Sequence, residues 1–456
     1  MKTIRLTFKK DKRFYNYIIS MFFRLAGIYV ADRYIYKDGN YINKNLKERI
    51  EYLSDKNNVE LKNKKEYQYD AEIFILSTND MSILEQETKK YIENKIFIID
   101  NDDAANNHII SKIKDENQLI RALVNKLYNL QLISKEEYQD LSMVRYIYEK
   151  NNYFNIIMKS KYFFYSDKLY DKNCSKYNDA IQSAINKLSE QKFKDWGDNR
   201  YHHTQYAVVE MAYELNAYCH RNQKGMKYSV NNLINIAASL NEKYSFKEGL
   251  LGQIYYYLQE APNQAYNCYV NYWSKDDFID NAFILKEMGL YWEKYNCNYE
   301  KAIIYYLKSI LLFPEYFSSW YRMGCCYYKL NNKKMALFCF NTVVEILEND
   351  NYDILSSKEL EYLFLSLTQC STLIYEIETN IEKSIEYSLK AEKLWNNIPN
   401  NLYLEKISYD SKEKLLLINN SKQSLNIKEI SKHISNMYLL KNQYDIAEKY
   451  KNKYLE

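Results

Sequence analysis

Two stretches of this chain repeat the same alternation of very small and very large residues at a fixed distance. "WYRMGCCYYKLNNKKMALFCF" carries Trp320, Met323, Gly324, Tyr327, Ala336 and Phe340. "MGLYWEKYNCNYEKAIIYY" carries Gly289, Tyr291, Ala302 and Tyr306, with Pro314 shortly after. Gly289 precedes Gly324 by 35 residues, and Ala302 precedes Ala336 by 34. A period in this range marks a stacked array of supersecondary units, none of which can bury its apolar face alone. Small residues belong where two helices cross closely, and the large ones fill the space around them. Looser copies surround the pair: Gly252, Ala265 and Tyr269 before it; Ser384, Ala391 and Pro399 after it; Tyr438 and Ala447 near the C-terminus.

The rest of the chain fits long helices. Among 456 residues there are three prolines (Pro262, Pro314, Pro399) and eight glycines. So few breakers argue against an all-β fold with many tight turns. No GxGxxG and no GxxxxGK[ST] occurs, which removes the glycine-rich phosphate loops. The spacing at Gly289 and Gly324 resembles the tetratricopeptide (TPR) repeat. That resemblance implies an α-solenoid over residues 246–456 whose concave face takes a protein or peptide partner.

Residues 1–132 have a different period. "TIRLTF" alternates Ile4, Leu6 and Phe8 on one side, as a strand does. "IYVADRYI", "AEIFILS" and "KIFIID" follow, the last two as continuous apolar runs that suit strands covered on both faces. Helical stretches separate them: one placing Phe14, Ile18, Met21, Phe22 and Leu25 on a single face, then "NLKERIEYL", "SILEQETKKYIEN" and a closing "ENQLIRALVNKLYNL". The alternation predicts an α/β domain with an open, parallel, helix-flanked, flavodoxin-like sheet. Residues 133–245 read as helical without a clear repeat register, either a linking region or degenerate repeats.

The first 132 residues resemble the Toll/interleukin-1 receptor (TIR) domain family in "IRLTFKKDKRF", "LAGIYVADRYIYKDGNYINKNLKERI", "YDAEIFILSTNDMS" and "KIFIID". Catalytic members cleave the nicotinamide–ribose bond of NAD with a glutamate on the helix after the central strand. The matching position is Glu85 or Glu87, and the sequence leaves the choice open. Such a carboxylate would stabilise positive charge developing on the ribose. The ordinary role for a glutamate there is to complement the helix dipole, and Ser82 and Glu85 have capping-box spacing. Phe8, Lys10, Asp38 and Ser77 would line the pocket as substrate-binding residues; NAD would be substrate, and no resident cofactor is implied. Two features depart from the family: a long segment from Ser54 to Tyr69, and no Trp or Cys before the glutamates.

With 63 basic and 59 acidic residues, the balance does not by itself point to nucleic acid. Neither a membrane nor a nucleic-acid partner is expected. The eight cysteines lack any CxxC pair and read as reduced, scattered small residues, consistent with a cytoplasmic setting. His202, His203 and His220 lack the spacing of a metal site, and none is assigned. Two functions compete: a signalling or defence protein whose solenoid controls a TIR-like NAD-hydrolysing effector, assembled through that domain as a homo-oligomer, or a non-catalytic TPR scaffold.

Overall fold

The computed structural model describes residues 3–8, 15, 18–20, 22–23, 29–34, 44–59, 70–76, 93–99, 108–110, 116–150, 213, 230–239, 246–274, 282–348, 357–397 and 427–453. The chain divides into two compact units, each discontinuous in sequence. One comprises Met1–Lys44, Lys62–Tyr218 and Met226–Glu260; the other comprises Asn45–Leu61, Cys219–Gly225 and Ala261–Glu456.

In the first unit, β1 (Thr3–Phe8), β2 (Tyr29–Tyr34), β3 (Ala71–Leu76), β4 (Lys95–Ile99) and β5 (Ile109–Ile110) form one sheet in the order β2-β1-β3-β4-β5. Every pairing is parallel. The apolar runs explain the burial. All five residues of β4 are buried, and Phe74 stacks on Phe97 at 5.0 Å, beside Leu76 and Ile99. Arg5 and Glu72 pair across neighbouring strands at 3.2 Å. Sequence periodicity locates four of these strands. The fifth, two residues long, carries too little pattern to be seen. Helix α2 (Glu116–Asn129) packs against β5 and against α3 (Lys135–Lys150). A reciprocal capping box between Ser134 and Glu137 starts α3. Helices α4 (Val230–Ser239) and α5 (Phe246–Tyr257) also pack together in this unit.

The second unit begins with α1 (Lys44–Asn57), the helix read from "NLKERIEYL". It sits with the C-terminal helices rather than with the strands that flank it in sequence. Among the described residues, four helix pairs follow α6 (Pro262–Ser274): α7 (Ala282–Lys294) with α8 (Tyr299–Leu312), α9 (Phe317–Lys329) with α10 (Lys333–Leu347), α11 (Ser357–Glu378) with α12 (Ile381–Asn397), and α13 (Ile427–Leu440) with α14 (Tyr444–Asn452). Each pair also packs on the next through α8–α9, α10–α11 and α12–α13. This is a TPR-like stack. In the looser copy, Gly252 falls in the first unit and Ala265 and Tyr269 in the second.

The crossing inside each pair is solved in two ways. A Cβ on Gly289 would come within 2.7 Å of the Tyr306 ring, and one on Gly324 within 2.9 Å of the Phe340 ring. In the later pairs a serine stands at the crossing. The Ser371 hydroxyl donates to the Ser384 carbonyl at 2.7 Å and lies 2.7 Å from the Ser388 hydroxyl. The Ser435 hydroxyl donates to the Ala447 carbonyl at 2.7 Å. Glycine against a ring and serine against a carbonyl both let the helices come close, the ring filling the space in one case and the hydroxyl finding an acceptor in the other. The turns inside the pairs share a second device. Cys297, Asn331, Thr379 and Asn442 adopt left-handed backbone with φ between 50° and 58°. Asn298, Asn332 and Asn380 then cap the following helices.

His433 on α13 closes the crossing of α11 and α12 from outside. Its Nε2 lies 3.0 Å from the Ser384 hydroxyl. That hydroxyl donates to the Ser371 carbonyl at 2.9 Å, so the imidazole N–H is the donor to it. Burial lowers the His433 pKa below 6.5, against a smaller opposite pull from Glu376.

Replacing Gly324 by alanine is expected to cost about 1–3 kcal/mol in urea unfolding, because the added methyl would press on the buried Phe340 ring and on Cys339; adding Phe340→Leu should recover part of the loss. The histidine gives a pH dependence. Above about pH 6.5 its contribution is fully present. As the pH falls below that value, the unfolded chain takes up a proton that the folded chain resists, so stability drops. Thermal unfolding between pH 7 and 5 should show a decline that His433→Gln flattens.

Candidate functional site

Helix α1 buries Leu46, Ile50 and Leu53 along one stripe and carries Arg49, Tyr52 and Lys56 on the adjacent one. The second stripe meets α10. The Arg49 guanidinium donates to the Thr342 hydroxyl at 2.7 Å and to the Glu345 carboxylate at 2.6 Å. It also lies over the Phe338 ring, 5.2 Å from the centroid, and the Tyr52 ring leans on the same phenylalanine. The Thr342 hydroxyl gives its own proton to the Phe338 carbonyl, which leaves its lone pairs for Arg49. At the end of α1, the Asn57 amide donates to the Tyr327 hydroxyl at 3.2 Å. Burial pushes the Tyr327 phenol up to about 12, with Asn57 pulling the other way. A rigid planar cation that makes two hydrogen bonds and covers a ring is a specific contact, one that lysine would not reproduce. Tyr52 remains 52% exposed, so the contact has an open edge.

Beneath this face the stack holds a buried charge pair. Glu293, at the end of α7, accepts from the Tyr306 hydroxyl at 2.5 Å and from Arg322 at 3.2 Å. Burial opposes the charge on Arg322, but Glu293 beside it holds its pKa well above the usual value. The same carboxylate adds to burial in raising Tyr306. Tyr321 packs edge-on to Tyr362 at 5.0 Å, extending the contact to the next pair. Tyr306, Tyr321 and Arg322 are all held well above neutral and so are not poised for acid–base chemistry there. Their effect is to fix one pair against another. The Ser384–His433 contact also fails as a nucleophile–base pair, because Ser384 is fully buried and its proton points away from the imidazole. Burial holds the thiols of Cys325, Cys326, Cys339 and Cys370 far above reactive values.

A third feature lies on α6, α7 and α8. Tyr266 stacks on Tyr291 at 4.2 Å, and Trp292 stands edge-on to both at 5.8 Å. Tyr295 continues the row 6.0 Å from Tyr291. The Lys301 ammonium sits 3.5 Å from the centre of the Trp292 ring, and Lys308 lies over Tyr305.

The residues singled out from the sequence fare differently. Phe8 ends β1 at the carboxyl edge of the sheet and is buried, 1% exposed. Lys10, Asp38, Ser77, Glu85 and Glu87 lie outside the described residues, as do His202, His203 and His220. Among the described residues no group of three His, Cys, Asp or Glu side chains could hold a metal, and no helix is long and apolar enough to cross a membrane. Sequence reading missed Arg49, Phe338, Thr342 and Glu345. Their only signal was an Arg–Tyr–Lys stripe beside an apolar one on a short helix.

No family model matches the sequence, and no curated protein matches it. Among solved structures, one from a functional characterisation of Pseudomonas aeruginosa PilF is similar at 13% identity, over 52% of this chain and 97% of that one, with a TM-score of 0.34. A human IFIT1 dimer with PPP-AAAA is similar at 12% identity, over 73% of this chain and 82% of that one, with a TM-score of 0.32. Likeness at that level adds nothing to the reading of the site, and none of these comparisons supports the TIR resemblance of residues 1–132. The TPR-like architecture rests on the helix pairs themselves.

Proposed function

We propose that this chain is a binding scaffold whose TPR-like solenoid holds helical protein segments on its helix faces. The observation that carries this reading is the docking of α1 on α9 and α10. Arg49 reaches residues 293 and 296 positions away, through chemistry that a partner helix with an arginine and a tyrosine on one stripe would reproduce. On this reading α1 is the resident ligand in cis, and a partner competes for the same face.

A labelled peptide of residues 44–57, added to the full chain, tests it. Arg49→Ala with Tyr52→Ala should weaken the resident helix and let the peptide bind about tenfold more tightly than it binds the unaltered chain, the size of a charged hydrogen bond. Adding Glu345→Lys to that variant should abolish binding. Equal binding with and without Glu345→Lys, or none to any form, would overturn the proposal.

A second reading is favoured by the sheet. An all-parallel order of β2-β1-β3-β4-β5 leaves a switch point between the carboxyl ends of β1 and β3, where ligands of such sheets bind. By resemblance to TIR proteins, the chain would then hydrolyse NAD with Glu85 or Glu87. NAD turnover by the full chain, alone and forced to oligomerise, should be lost in one of Glu85→Ala and Glu87→Ala if this holds. No turnover in any form removes it and leaves the scaffold.

A further inference from the structure

We propose that Phe338, Thr342 and Glu345 on α10 form a binding site for free alkylguanidinium compounds, arginine among them, which Arg49 fills in cis. The pocket stands on its own geometry; its consequence for helix capture rests on the reading above.

Three walls converge on one guanidinium. The two terminal nitrogens of Arg49 donate separately, one to the Thr342 hydroxyl at 2.7 Å and one to the Glu345 carboxylate at 2.6 Å. The central carbon between them lies 5.2 Å from the centre of the Phe338 ring. Both polar walls offer lone pairs: the Thr342 proton is committed to the Phe338 carbonyl, and a carboxylate accepts. A flat cation with donors around its rim and a face for the ring satisfies all three at once. An ammonium has no plane to lay on the ring.

The walls are held by the stack and not by α1. Thr342 is fully buried and tied to its own helix. The Asn341 amide donates at 3.1 Å to the Glu345 oxygen that receives Arg49. Asn341 is fixed in turn, because its side-chain oxygen accepts from the Tyr387 hydroxyl on α12 at 2.6 Å. This chain of hydrogen bonds includes no residue of α1, so the pocket keeps its shape when Arg49 leaves, and a ligand has little left to order. The mouth is open, since the Glu345 side chain is 40% exposed. Two charged hydrogen bonds correspond to a Kd of about 1 mM for the cation alone. A free cation of that strength does not displace Arg49, which α1 presents in cis with Leu46, Ile50 and Leu53 buried beside it. Once Arg49 has gone, the same cation denies the pocket to the arginine of a partner helix.

Thermal unfolding of the full-length Arg49→Ala chain with methylguanidinium chloride tests the pocket. At about 10 mM, tenfold above that affinity, the midpoint should rise by about 2–4 °C. Methylammonium chloride at the same concentration carries the same charge without the plane and should give no rise. Adding Glu345→Ala should remove the rise, and the unaltered chain, its pocket filled, should show none. Arg49→Leu is a second background, with a stem that stops short of the guanidinium, and the rise should appear there too. Circular dichroism should show all variants folded. In the peptide assay on the Arg49→Ala, Tyr52→Ala chain, the same methylguanidinium should weaken binding about tenfold. A midpoint that does not move in either background, an equal rise with methylammonium, or a rise that survives Glu345→Ala would sink the proposal. Peptide binding that methylguanidinium leaves untouched would sink it too while the helix reading stands. A methylguanidinium rise without any peptide binding would remove the helix reading and leave the pocket.

Discussion

The closeness of two helices at their crossing governs the second unit. When Gly289 lies under Tyr306, or Ser371 gives its proton to the Ser384 carbonyl, the helices of a pair approach until backbone meets side chain. That approach brings the faces of successive pairs into contact. Glu293 then meets Arg322 from the following pair, and Tyr321 meets Tyr362. A buried ion pair of this kind adds little net stability, but it is intolerant of being broken on one side and so fixes register. The outer surface inherits this order: Phe338, Thr342 and Glu345 line up for Arg49 only because α10 is held rigidly against α9 and α11.

The two crossing solutions also explain which parts of the stack were legible in the sequence. Gly289 with Ala302 and Gly324 with Ala336 announce themselves because glycine is rare in this chain. Ser371 and Ser435 do not, since serine is common and the resemblance depends on hydroxyls reaching carbonyls 13 and 12 residues on. The spacing from Ser371 to Ser384, equal to that from Gly289 to Ala302, was the signal available. The strands were readable where apolar runs were long, as in β3 and β4, and β5 was too short. The destination of α1 could not be read at all. Its apolar stripe suits packing against a sheet or against helices equally, and an arginine on a helix is usually a solvated charge.

The sites differ in the same way. The acids that the sequence marked by resemblance lie outside the described residues. The groups that the structure brings together, an arginine on a phenylalanine and lysines over a row of rings, come from residue types too common to stand out. What distinguishes them is orientation: Glu287 and Glu293 turn inward while Lys301 and Lys308 stay out, and no count of charges along the chain reveals that.

Because α1 comes from residues 44–57 and its receptor from residues 327–345, the second unit is assembled from segments made far apart in time on the ribosome. The helix emerges first and its seat nearly 300 residues later. Closing so long a loop adds only modestly to the entropic cost, since that cost rises with the logarithm of length, but it places the step late in folding. Throughout that interval the seat of the Arg49 stripe has not been made, so a chaperone or another chain can reach the stripe before its own solenoid does.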